Sequence, residues 1–302
     1  MSAFRERLDA LCRELHVPSP VQSLTPDWPG AQAVHISIKR DDLIHPVISG
    51  NKWRKLSPTL LSLSSPPSRL ISFGGGFSNH LHALGYASHR LQLPFTAFVR
   101  GDYRQHPTPM LRDLHHWGTD VRYLTKADYR RRHDPAFVSS LHGDAPQALV
   151  IPEGGSQQSA LAGIQHSLKE QPLVFDTVIC PVASGATLAG LVSALEGHQQ
   201  AMGIAVLKGQ QYLESLVSNL LDRPYANWHI EHAYHHGGYA RNTDELIAFC
   251  DAFETQTSVP AEPVYSGKML FAVRHMISKG MFPEGHRVLL IHTGGLQGAR
   301  SY

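Results

Sequence analysis

The sequence predicts an α/β protein built on open, mostly parallel sheets with helices on both faces. Short β-branched or apolar runs alternate with longer segments of helical periodicity. Such alternation implies parallel strands joined by crossover helices. Several of these runs also end in glycine: ISFGGG (71–76), IPEGG (151–155) and LIHTGG (290–295), with ICPVAS leading to Gly185. Loops at the carboxyl ends of strands in such sheets are where ligands bind.

In chain order, MSAFRERLDALCRELHV reads as an amphipathic helix with charges from residue 5 onward. Strands are expected at Ala33–Lys39, Arg69–Phe73, Phe95–Val99, Val121–Leu124, Ala148–Ile151, Thr177–Pro181, Ile204–Val206, His229–Ala233 and Arg287–His292. Helices are expected at Asn79–Leu91, Met110–Trp117, Ser159–Glu170, Thr187–Glu196, Gln211–Leu221, Asp244–Thr255 and Gly267–Lys279. SSPPS (64–68) and the Arg/His-rich stretch around 130–134 read as surface loops.

Composition narrows the function. A chain of 302 residues with 42% hydrophobic content can bury a large core, in one domain or in two that share a cleft. A net charge of +2 provides no strong basic field, which argues against nucleic acid or anionic membrane as the main partner. Cys12, Cys180 and Cys250 form no CxxC pair, so neither a disulfide framework nor a zinc knuckle is expected. The histidines lack a partner at ligand spacing, and no metal is expected. The N-terminus lacks the apolar run of a signal peptide, and no run approaches the ~18 apolar residues of a membrane span; a cytoplasmic protein is expected.

Four segments carry chemistry. In IKRDDL…SGNKWRKL (38–56), Lys52 follows a tight Ser-Gly-Asn turn and opens a helix. The positive end of the helix dipole disfavours a further ammonium, which suits a lysine that must be nucleophilic near neutral pH; the plainer alternative is a solvated lysine. In FGGGFSNHLHALG (73–85), the glycines let backbone approach a ligand, and Ser78 and Asn79 start a helix whose free amides can hold a carboxylate. Ser78 is equally a good N-cap. In CPVASGATLAGL (180–191), a small-residue loop between strand and helix can cradle a phosphate. It lacks the Gly-Lys-Ser/Thr ending of a nucleotide loop, so a monoester fits better than a triphosphate. In HHGGYAR (235–241) and VYSGK (264–268), Tyr239 and Tyr265 are acid/base or stacking candidates, against a default role as amphipathic rim residues.

In their order along the chain these segments resemble the pyridoxal-phosphate family containing 1-aminocyclopropane-1-carboxylate (ACC) deaminase and D-cysteine desulfhydrase. The resemblance runs from KRDD (39–42) to HTGG (292–295), through KRDDL, GNKWRKL, FGGGFSNH, FVRGD, PEGGS, the small-residue loop, GGYA, YSGK and IHTGG. It implies a fold like that of the tryptophan synthase β-subunit: a large domain from about 1–51 and 160–302, a smaller inserted α/β domain at 52–159, and pyridoxal 5'-phosphate in the cleft between them. A homodimer is implied as well.

By the same resemblance, Lys52 carries the cofactor as a Schiff base. Ser78 is the family's active-site serine, often described as a nucleophile and also placed to bind the substrate carboxylate. Asn79 would hydrogen-bond the cofactor's phenolic oxygen, and the His80 backbone amide would reach the carboxylate. Ala183, Ser184, Gly185, Ala186 and Thr187 would cradle the phosphate, and Tyr239 and Tyr265 would flank the substrate. Trp53 stands where the family usually has a small residue, which predicts a narrower cleft. The stretch 101–147 is short for the family.

The choice of reaction rests on two motifs. ACC deaminases read Tyr-Glu-Gly-Lys and His-Leu-Gly-Gly, whereas this chain reads Tyr265-Ser266-Gly267-Lys268 and His292-Thr293-Gly294-Gly295, the pattern similar to D-cysteine desulfhydrase. A glutamate facing the pyridine nitrogen keeps it protonated and the ring a strong electron sink; a hydroxyl from Ser266 or Thr293 gives a weaker one. The weaker sink suffices for losing an α-proton and then hydrosulfide. The expectation is therefore β-elimination on D-cysteine, with Lys52 or Tyr265 as base. ACC ring opening is the alternative, and a non-catalytic cofactor-binding protein is a further one. A serine hydrolase is disfavoured, because Ser78 sits in no G-x-S-x-G elbow.

Overall fold

A computed structural model describes residues 3–141 and 147–300. Its strands are β1 (Val21–Leu24), β2 (Val34–Lys39), β3 (Arg69–Gly75), β4 (Phe95–Arg100), β5 (Asp120–Leu124), β6 (Ala148–Ile151), β7 (Thr177–Val182), β8 (Gln200–Ala205), β9 (Trp228–Glu231) and β10 (His286–Ile291). They form two sheets. The six-stranded sheet has the order β1-β2-β10-β7-β8-β9, and the four-stranded sheet the order β5-β4-β3-β6. Every pairing is parallel except β1 with β2. Strand β7 is buried at every position, as a parallel strand covered on both faces must be.

The helices are α1 (Ala3–Arg13), α2 (Asn51–Leu61), α3 (Asn79–Leu91), α4 (Pro109–His116), α5 (Lys126–Arg130), α6 (Pro135–Ser140), α7 (Gln158–Lys169), α8 (Ala186–Val192), α9 (Tyr212–Ser218), α10 (Asp244–Thr257) and α11 (Ser266–Ser278). None is long and apolar enough to cross a membrane. Parallel pairing with intervening helices gives the α/β architecture that the sequence predicts.

The structure departs from the sequence reading in several places. Strand β1 was not expected, because its four residues, Val-Gln-Ser-Leu, show little periodicity and their antiparallel pairing comes from β2. The stretch around 130–134 is helical rather than loop: Thr125 and Asp134 cap α5 and α6 through their side chains. Residues 142–146 of the short 101–147 stretch lie outside the described residues. Helix α1, assigned to the larger unit from sequence, instead buries Phe4, Leu8 and Leu11 in one apolar cluster with Leu81, Leu84 and Leu91 of α3 beside the smaller sheet. Trp53 joins that cluster at 6% exposure, so its bulk fills the core shared with α1 rather than narrowing the cleft.

Helix α2 is held between the sheets by buried charge. Arg54 pairs with Asp41 at 2.9 Å and with Glu170, and Lys39 pairs with Glu170 at 3.1 Å, all with side chains at most 3% exposed. Removing one partner from such a network strands a desolvated charge, which costs about 3–5 kcal/mol. The turn entering α2 is thereby fixed.

Candidate active site

Lys52 lies in the first turn of α2, after Gly50. Gly50 has φ +64°, and a Cβ there would stand 1.9 Å from the Thr293 carbonyl oxygen, so only glycine fits between α2 and the loop after β10. Lys52 Nζ donates to Asn51 Oδ1 at 2.6 Å, and Asn51 Nδ2 donates to Thr187 Oγ1 at 2.8 Å. The amine is thus tied through one amide to the small-residue loop. Burial lowers its pKa to about 8, against the opposing pull of the Glu262 carboxylate.

That loop, Ala183 to Thr187, turns from β7 into α8. Its unforeseen partner is Lys55, one helical turn beyond Lys52. Lys55 Nζ reaches Gly154 O and Ser184 Oγ, each at 3.4 Å, near the outer limit for a hydrogen bond. Burial, with the nearby Lys52 ammonium, pushes its pKa well below the ordinary value. A buried cation with such distant neutral partners is costly, and a phosphate seated in the loop would offset that cost. Ser156 Oγ also donates to Ser184 Oγ at 2.6 Å, tying in the loop after β6. The residues fit a phosphate monoester: Lys55, Ser184 and Gly185 would hold its phosphate, with the Lys52 amine tied to the same loop through Asn51.

A second glycine-rich loop lies between β3 and α3. Ser78 is the N-cap of α3, its Oγ accepting from Leu81 N at 3.2 Å. A Cβ on Gly74 would stand 2.6 Å from that oxygen, which explains glycine there. The His80 side chain points into the protein. Ser72 Oγ donates to Ile151 O at 2.7 Å, so at 2.8 Å it accepts from His80 Nε2–H. This leaves His80 Nδ1 bare and buried, and burial with the charges of Lys52 and Lys55 drops its pKa to about 3. The imidazole is neutral.

Tyr239 and Tyr265 meet hydroxyl to hydroxyl at 3.0 Å, with their rings edge to face. Buried Lys268 holds the pair together: its Nζ donates to Gly238 O at 2.8 Å, anchoring the turn before Tyr239 to the helix after Tyr265. Sequence reasoning missed Glu262. Its carboxylate accepts from the backbone N–H of Val264, Tyr265 and Ser266 at 2.7–2.8 Å, and Ser266 Oγ donates to Oε1 at 3.2 Å. Burial pushes this carboxyl up to about 7 against those bonds. The Ser266 hydroxyl, expected to be simply neutral, therefore rests on an acidic group. Thr293, 5% exposed, borders the site through its carbonyl, which accepts from Asn51 N at 3.3 Å.

Contacts thus link Lys52 through Asn51 to Thr187 and Thr293, and Tyr265 to Tyr239, while a side chain at Gly295 would crowd both Asn79 and Tyr265. Lys55 and Glu262 lacked a signal of their own, because their importance lies in burial beside the loops; Lys55 falls inside GNKWRKL, whereas Glu262 precedes the VYSGK segment.

Residues 17–294 match the family model described as "Pyridoxal-phosphate dependent enzyme". The bifunctional D-cysteine desulfhydrase/1-aminocyclopropane-1-carboxylate deaminase of Arabidopsis thaliana is 30% identical, covering 94% of this chain and 77% of its own. The D-cysteine desulfhydrase of Salmonella paratyphi A is 25% identical, covering 94% of each chain. Among solved structures, an ACC deaminase homologue superposes with a TM-score of 0.80 at 25% identity, covering 99% of this chain and 96% of its own. Family model, relatives and site together place this chain among the pyridoxal-phosphate-dependent enzymes.

Proposed function

We propose that this enzyme eliminates a β-leaving group from a small D-amino acid, with D-cysteine giving sulfide, pyruvate and ammonia. The observation that carries the choice is Ser266, a hydroxyl rather than a carboxylate at the start of α11 beside Tyr265. When bound, pyridoxal phosphate supplies the electron sink that stabilises negative charge at the substrate α-carbon. Lys55 and residues 183–187 hold its phosphate. The free N–H groups at the start of α3, with Ser78, take the substrate carboxylate. The lowered Lys52 pKa raises the neutral, proton-accepting fraction of the amine near pH 7 over that of an ordinary lysine, and this amine moves the α-proton. The Tyr239–Tyr265 pair walls the substrate side.

ACC ring opening is the second reading. The Glu262 carboxyl accepts from the Ser266 hydroxyl, a proton source that can strengthen the sink, and several of the similar proteins carry that enzyme's name. Purified protein given D-cysteine, L-cysteine, D-serine and ACC separately, with sulfide, keto acid and ammonia followed, decides between them. Ring opening of ACC without sulfide from D-cysteine would reject the first reading. Borohydride reduction should leave a pyridoxyl group on the Lys52 peptide, and its absence would reject both. A cytoplasmic homodimer completes the proposal, with light scattering as the check on assembly.

A further inference from the structure

The residues after β10 form a short strap, a 3-10 turn over Leu296–Ala299, whose Gln297 reaches the start of α3. Gln297 Nε2 donates to Phe77 O at 3.3 Å and to Asn79 Oδ1. Gln297 Oε1 accepts from Arg300 Nη2 at 3.2 Å. Arg300 Nη2 in turn donates to Asp113 Oδ2 at 2.6 Å, an oxygen that also meets His82 Nε2 at 2.8 Å. A guanidinium can only donate and a carbonyl can only accept, so the Gln297 amide is oriented from both ends. The Asn79 amide is then oriented too. With Oδ1 taken, its free polar group is Nδ2, which lies beside Gly295, 3.0 Å from where a Cβ would stand; that same Cβ would be 3.6 Å from the Tyr265 ring. Among the described residues, Nδ2 donates to no protein acceptor.

We propose that Gln297 is a positioning residue: it turns the Asn79 amide so that a donor, not an acceptor, faces the phenolic oxygen of the bound cofactor. This rests on the cofactor placement in the proposed function. A phenolate needs a donor, and an amide turned the other way would set its carbonyl oxygen against that charge. The strap thereby connects a surface ion pair, Arg300–Asp113, to the electronics of the site.

Titration of apoprotein with pyridoxal phosphate, followed by quenching of protein fluorescence, tests the proposal. Gln297→Met keeps the volume and loses the donor; affinity should fall about 3- to 10-fold, as for one neutral hydrogen bond. Gln297→Glu is closer in shape but can only accept; it should draw Asn79 Nδ2 towards itself and bind cofactor more weakly than Gln297→Met. A packing role predicts the opposite order, and Gln297→Glu binding as well as wild type would overturn the proposal. In an Asn79→Ala background, Gln297→Met should cost nothing further; the same loss as in wild type would also overturn it. If wild type binds cofactor and every Gln297 variant matches it, this inference alone falls. If wild type takes up none, the functional reading falls with it.

Discussion

The loop after β3 and the loop after β7 are built alike and charged differently. Both follow a parallel strand, both turn into a helix, and both present unpaired backbone N–H groups there. The loop of the smaller sheet, 73–78, fills its own turn with Ser78 Oγ and lies above a neutral His80. The loop of the larger sheet, 183–187, has instead a buried lysine set beside it by α2, the Lys55 Nζ at 3.4 Å from Ser184 Oγ. Small residues are the signal in both, three glycines in the first and Gly185 among Ala, Ser and Thr in the second. A lysine delivered from another element, which a bound phosphate would hold protonated, suits one loop to a phosphate dianion and leaves the other suited to a single carboxylate.

Removing the cation should break this contrast most severely. Lys55→Met should weaken pyridoxal phosphate binding by roughly 10- to 150-fold, the worth of a charge-assisted hydrogen bond, measured by equilibrium titration of apoprotein. Inorganic phosphate should compete with cofactor in wild type and hardly at all in the variant.

The next test sets the pH responses of the two sides in opposition. His80 falls from 6.5 to about 3 on folding, so its contribution is complete above pH 6.5 and is lost as pH falls below that value. Glu262 rises from 4.5 to about 7, so its contribution is complete below pH 4.5 and is lost as pH rises towards 7. Between pH 5 and 6.5, urea unfolding of apoprotein should show the Glu262→Gln variant gaining on wild type by roughly 1 kcal/mol per unit as pH rises. His80→Gln should gain on wild type by a similar amount as pH falls. Equal slopes in all three proteins would refute both assignments.

The smallest effect should sharpen the contrast. Ser78→Ala removes an N-cap and should lower stability by about 1 kcal/mol. It should raise KM for the amino acid several-fold, the worth of one neutral hydrogen bond, and leave cofactor affinity unchanged. Steady-state kinetics at saturating cofactor checks it.

How much of this could be read from sequence depended on the kind of residue. Helix α3 was expected at Asn79–Leu91 and is found there, because Ser78 as cap and a long apolar period are local signals. Helices α5 and α6 escaped notice because Arg-rich composition masked two good caps, Thr125 and Asp134. Strand β1 escaped because four residues hold too little pattern. In the site, Lys52 and the glycine loops stood out by motif. Lys55, Glu262 and Gln297 did not, since a lysine, a glutamate or a glutamine in isolation reads as solvated surface.

The sequence by itself determined the α/β alternation, the glycine-ended strands and the order of motifs, because each is set by neighbours a few residues away. Only tertiary structure decided which charges were stripped of water. Lys55, Glu262 and His80 have shifted proton affinities because distant elements bury them. Desolvation is a property of everything packed around a group, and no local stretch of chain encodes it.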